Sequence, residues 1–132
     1  MAYFPSENGH LCIIKFLYIK DIPQVVVFNI KLTFYNTLAF FIKQRFGIAP
    51  QYQSCHTGVS ADGFVFEGHV PARLIKKFLA EKPAGAIGLA VPGMPIGSPG
   101  MEMDERITPY DVLQLNKDGS TSVYSHVSTL EK

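Results

Sequence analysis

Three of the four methionines in this 132-residue chain, Met94, Met101 and Met103, fall within Gly88–Met103 (GLAVPGMPIGSPGMEM). Upstream stand Ser54-Cys55-His56-Thr57 and Glu67-Gly68-His69-Val70. Thioether, thiolate and imidazole together are donors that a soft ion such as Cu(I) selects. Methionine ordinarily fills gaps in a core. A stretch this rich in Pro and Gly reads as a loop, not a helix or a central strand. Methionines clustered on such a loop have no periodic face to pack, so metal handling is the leading reading.

Cys55–Ala61 and Phe64–Val70 read as two strands joined by Asp62-Gly63, a strong hairpin signal. With Asp62 and Gly63 as a two-residue loop, Ala61 faces Phe64 and His56 faces His69, with Cβ atoms ~4.5–5.5 Å apart, close enough to share a metal. The competing reading is a solvated polar face that also carries Ser60 and Glu67. Cys55 alternates onto the other face with Val59, Ala61, Phe64 and Phe66. It is then either a core thiol or, if regular pairing ends near Thr57, a ligand in a freer connection. Met101 and Met103, two apart, present both sulfurs on one side of an extended segment. Packing is again the alternative, with Met94, Val91 and Ile96 capping an apolar end. Glu102, Asp104 and Glu105 form an acidic fringe that favours a cation.

The elements that must position these residues follow from local pattern. A strand is expected near Ala2-Tyr3-Phe4 and a short helix over Leu11–Lys20. A strand buried on both faces is expected over Gln24–Ile30, and a helix over Thr33–Phe46, closed by Gly47. Pro71 opens a helix with the stripe Leu74, Ile75, Phe78 and Leu79, and Lys82-Pro83 ends it. Asp111–Leu115 and Ser120–Tyr124 form a closing hairpin around Lys117-Asp118-Gly119. Strands alternating with helices before an antiparallel hairpin and a helix point to an α/β, thioredoxin-like mixed sheet.

An apolar fraction of 47% and a charged fraction of 17% describe an ordered protein of one domain. A formal net charge of +1 gives no electrostatic case for nucleic acid or an anionic membrane. Two cysteines, Cys12 and Cys55, make neither a disulfide framework nor a four-cysteine zinc site. Lys15, Lys20 and Lys31 interrupt the apolar N-terminal third, so no membrane span is expected. No convincing signal peptide is legible, and as written the chain reads as cytoplasmic. Neither a nucleophile elbow nor a phosphate loop is present. His10 and His126 read as solvated.

From about Lys43 onward the sequence resembles a bacterial family of small metal-binding proteins, long catalogued as a domain of unknown function, that includes the CopG-type copper-resistance proteins. The resemblance lies in Phe46-Gly47-Ile48-Ala49-Pro50, Ser54-Cys55-His56-Thr57, Val65-Phe66-Glu67-Gly68-His69-Val70-Pro71, Gly88 through Met103, and Pro109-Tyr110-Asp111-Val112. It implies a single thioredoxin-like metal-binding domain over 1–132, with 1–42 diverged and 43–132 family-like. It also implies export to the periplasm, and copper as ligand, with other copper-handling proteins as partners. The implied donors are Cys55, His56, His69, Met94, Met101 and Met103, with Cys12 brought near Cys55 and His56. Members carry a Cys-x-x-Cys-type motif where this chain has Gly9-His10-Leu11-Cys12. One thiol of that pair remains, and a dithiol cycle needs two. Copper binding in metal resistance is therefore expected ahead of a thioredoxin-like oxidoreductase or a non-metal interaction domain on the same scaffold.

Overall fold

The β-branched and aromatic residues of 2–5, 11–19 and 22–30 lie in strands that pair with one another instead of coiling. The structure, a computed structural model, describes residues 2–5, 11–19, 22–30, 41, 43–54 and 56–129; of those before 41, and of His56, it describes the main chain alone. Strands β1 (Ala2–Pro5), β2 (Leu11–Ile19), β3 (Ile22–Ile30), β4 (His56–Ser60) and β5 (Val65–Glu67) are antiparallel neighbours in chain order. Helix α1 (Ala72–Glu81) then crosses over to β6 (Ala86–Ala90), which is parallel to β5. A parallel pair requires such a crossover. Antiparallel strands β7 (Tyr110–Asn116) and β8 (Thr121–Val127) complete the order β1 to β8.

The architecture is thus mixed α/β, as expected, but its N-terminal part is not strand–helix–strand. Leu11–Ile19 is strand β2, not a helix. Ile13, Ile14, Phe16, Tyr18 and Ile19 favour a pleated backbone, and β1 and β3 pair with both edges of this segment, so tertiary pairing decides the conformation. Of the helix expected over Thr33–Phe46, residues 41 and 43–45 are helical, and the others lie outside the described residues. It closes with Gly47 N–H donating to Gln44 O (3.0 Å) and Ile48 N–H to Lys43 O (2.9 Å). A 3-10 turn follows at Pro50–Tyr52.

The β5–β6 centre of the sheet is covered on both faces. On one, Leu74, Ile75 and Phe78 of α1 pack with Phe66, Leu89 and Val112. The Phe78 ring meets Phe64, Phe66 and Tyr124 edge-on at centroid distances of 5.2, 5.7 and 5.9 Å, the favoured aromatic geometry. On the other face Val65, Ala90 and Leu115 pack with Ile48, flanked by Phe46, Tyr52, Val59 and Ile87. The stripe read for α1 holds, and Lys82 ends the helix in the left-handed region (φ 43°) with its N–H on Phe78 O.

The stretch beginning at Gly88 is not all loop. Gly88, Leu89 and Ala90 belong to β6, a central strand between β5 and β7. Here glycine permits close approach, because a Cβ at 88 would overlap the Val65 carbonyl. Gly88→Ala should therefore lower stability by about 3 kcal/mol, as overpacking does, read as a shift in the urea unfolding midpoint.

The phenol of Tyr124 donates to Glu81 Oε2 at 2.7 Å. Burial, then this bond and the charge of Glu81, push the phenol pKa well above its ordinary value. A raised folded-state pKa gives stability that is fully present below the unfolded phenol pKa and is lost as pH rises through the folded value. Tyr124→Phe keeps the ring on Phe78 and should flatten that alkaline decline, measured as melting temperature against pH.

Candidate metal centre

The β4–β5 hairpin sets the geometry of the site. Ser60 N–H donates to Phe64 O (2.9 Å), Gly63 N–H to Ser60 O (3.0 Å), and Phe64 N–H to Ser60 Oγ (3.1 Å). The loop therefore has three residues, Ala61-Asp62-Gly63, with Gly63 at φ 84°, the type I turn plus bulge in which glycine takes the left-handed position. Pairing is Thr57↔Glu67, Gly58↔Phe66 and Val59↔Val65. This register is one residue away from that of a two-residue loop, so His56 does not face His69. A one-residue slip exchanges the faces. Thr57, Val59, Val65 and Glu67 share one face, and Phe66 packs on the other, against α1. Neither residue of the expected solvated face is solvated: Glu67, on the Thr57 face, is 0% exposed, and Ser60, on the Phe66 face, is 6% exposed.

A closed polar network occupies that face. Glu67 Oε1 accepts from the Ser54 N–H (2.6 Å) and from Lys43 Nζ, and Oε2 accepts from Thr57 Oγ1 (2.7 Å). Lys43 Nζ also donates to Ser54 O and Thr57 Oγ1, both at 2.9 Å. Its three protons thus have three acceptors. Lys43 reaches the sheet from the helical turn that closes on Ile48, and Thr57 and Glu67 come from adjacent strands. None of Lys43, Thr57 or Glu67 was expected at the site. The available signal was a carboxylate in the apolar run Phe64-Val65-Phe66-Glu67, at a position that a period of two places on the Val65 face.

Beyond the Thr57–Glu67 pair the two strands end together. His56 begins β4, its main chain beside Asn29 of β3, and His69 lies two residues past the end of β5. Both histidines therefore lie at the same end of this strand pair. His69 is half-buried, with Nδ1 2.6 Å from the carbonyl oxygen of Pro99. A carbonyl only accepts, so the Nδ1–H donates to Pro99 O. The bond fixes the orientation of the ring.

Pro99 belongs to the methionine loop, whose Pro95–Met101 part is a succession of turns. Gly97 N–H donates to Met101 O (2.9 Å), Met101 N–H to Ser98 O (2.8 Å), and Ser98 Oγ–H to Pro95 O (2.7 Å). Ser98 is fully buried, and Val91 N–H donates to Glu67 O at 2.9 Å. The loop is thus pinned to the end of β5. Met101 is half-buried two residues from the carbonyl that holds His69, while Met94 and Met103 are 59% and 46% exposed. Met103 forms an isolated antiparallel bridge with Arg106 across the tight turn that follows it.

Cys55 lies outside the described residues, between Ser54 and His56. Cys12 is on β2 opposite Phe4. The row Lys15–Asn29–His56 crosses β2, β3 and β4, which places the Cys12 main chain two strands over and three residues along from His56, on the order of 14 Å away. Among the described residues no three His, Cys, Asp or Glu side chains converge as a ligand group. His126 is an exposed partner of Asp111 (2.7 Å) on the far hairpin. Among the described residues no helix is long and apolar enough to cross a membrane.

Replacing Glu67 alone leaves a buried ammonium without its carboxylate. Glu67→Leu should cost about 3–5 kcal/mol, and Lys43→Met added to it should recover most of the loss, because a matched apolar pair replaces a buried ion pair with little penalty. Urea unfolding of the three variants checks this.

Residues 52–101 match the family described as "Protein of unknown function, DUF411". No curated protein sequence matches the chain. Two solved structures of the copper resistance protein CopG are similar over most of it. Form 1 is 43% identical, covering 73% of this chain and 73% of that one, with a TM-score of 0.63. Form 2 is 42% identical, covering 74% and 75%, with a TM-score of 0.62. At this identity and coverage the chain belongs to the family of CopG-like copper resistance proteins.

Proposed function

We propose that this protein binds Cu(I) as cargo in copper resistance, through a thiolate from Cys55, imidazoles from His56 and His69, and thioethers from Met101 and Met103. Met94 and Cys12 are further candidate donors. The observation that carries this reading is the Nδ1–Pro99 bond, which joins the His69 imidazole to the methionine loop. The similar structures are of a copper resistance protein, and soft sulfur donors beside imidazole suit Cu(I) over harder ions. Exposed Met94 and Met103 offer thioethers to an arriving ion. The exposed carboxylates Glu102, Asp104 and Glu105 bias the local field toward a cation.

The thioredoxin-like frame is retained in this proposal for the hairpin and helix over His56–Glu81, which corresponds to the second half of that fold. A dithiol cycle has less support, because β3 lies between the strand that carries Cys12 and β4. The family resemblance also leads us to place the protein in the periplasm.

Competitive titration of the purified protein against a colorimetric Cu(I) chelator tests the assignment. Uptake is expected, weakened about tenfold or more by Cys55→Ser, by His69→Ala, and by Met101→Leu with Met103→Leu. No uptake, or uptake indifferent to all three changes, would remove it. Bound Cu(I) should also raise the melting temperature.

A further inference from the structure

The polar network touches both flanks of the Cys55-His56 dipeptide. Ser54, the residue before it, has its N–H held by Glu67 and its carbonyl held by Lys43. Thr57, the residue after it, has its hydroxyl engaged by both. We propose that Glu67, together with Lys43 and Thr57, is a positioning residue that fixes the backbone on either side of Cys55 and His56 and so sets where those donors stand relative to His69. The geometry stands on its own; its consequence for copper rests on the function proposed above.

Two observations and one physical argument carry it. Glu67 lies two residues before His69, and its carbonyl accepts the Val91 N–H at the start of the methionine loop. One residue therefore ties together all three segments that carry donors. Next, Ser54 lies against the chain leading to His69: a Cβ built on Gly68 would sit 3.1 Å from both Ser54 Cβ and Ser54 Oγ. Finally, an apolar pair at 43 and 67 would give comparable stability. An apolar pair has no direction, however. Only hydrogen-bonding groups at 43, 57 and 67 determine where the Ser54 amide and the Thr57 hydroxyl must be. The ion pair is also neutral overall, so it holds these groups without adding net charge.

The test uses the full chain with Thr57→Val, Thr57→Ser, and the double variant Lys43→Met/Glu67→Leu, each compared with the unaltered protein at matched melting temperature. On metal-free protein, hydrogen exchange of the Ser54 amide should speed up more than about tenfold in the double variant. It should speed up to a lesser degree in Thr57→Val, while the Leu89 and Val112 amides keep their protection. Cu(I) affinity should fall about ten- to a hundredfold in both, the usual effect of losing an outer-shell partner. Thr57→Ser, which keeps the hydroxyl, should restore both readouts. Wild-type exchange at Ser54 in Thr57→Val, or wild-type copper affinity despite faster exchange, overturns the proposal. If the double variant does not fold, the Val and Ser forms carry the comparison. If the unaltered protein takes up no Cu(I), the copper assignment falls, while the Ser54 exchange rates still decide whether the network holds this segment.

Discussion

Taking a lysine ammonium and a glutamate carboxylate out of water costs several kcal/mol per ion before their mutual attraction is counted. The Lys43–Glu67 pair is kept nevertheless, with the Glu67 side chain fully buried and that of Lys43 10% exposed. Such a pair persists only where hydrogen bonds satisfy what remains of both groups. Here Ser54 and Thr57 supply them. The bonding that offsets the desolvation is the same bonding that holds the Ser54 main chain and the Thr57 hydroxyl.

The fold makes this arrangement possible by covering the centre of its sheet on both faces. Helix α1 closes one side over Phe66 and Leu89. The helical turn at 43–45, Ile48 and the 3-10 turn close the other over Val65 and Ala90. Glu67 lies at the end of the short strand β5, where the second of these layers meets the edge of the core, so its carboxylate is dry while its neighbours Gly68 and His69 are only half-buried. The methionine loop enters from β6 alongside, bound to Glu67 through Val91 and to His69 through Pro99. Rigid core and exposed thioethers thus meet within a few residues, as expected of a site that must hold its geometry and still admit an ion.

Local signals made part of this legible in advance. Helix α1 announces itself through Pro71, the Leu74–Ile75–Phe78 stripe and the Lys82-Pro83 stop, and the closing hairpin through Lys117-Asp118-Gly119. The loop that carries Met94, Met101 and Met103 was readable from its Pro and Gly content, apart from Gly88–Ala90, which belong to β6. The register of the β4–β5 hairpin was not, because it turns on whether the loop has two residues or three, and the Ser60 hydroxyl bonded to the Phe64 amide is part of the three-residue loop. Strand β2 was expected as a helix because its near-continuous apolar run has no clear period; its strand partners are its chain neighbours β1 and β3. The Lys43–Glu67 pair spans 24 residues and has no local signature. The bond from His69 to Pro99 spans 30 and exists only once the loop has docked.

The central claim is that sulfur and imidazole donors gather around the end of β5 to hold Cu(I). Copper-edge X-ray absorption on the protein loaded with one equivalent of Cu(I) tests it most directly. The account predicts a Cu(I) edge with sulfur and imidazole scattering in the first shell, and loss of imidazole scattering on His69→Ala. A first shell of oxygen alone, or one unchanged by that substitution, would contradict it.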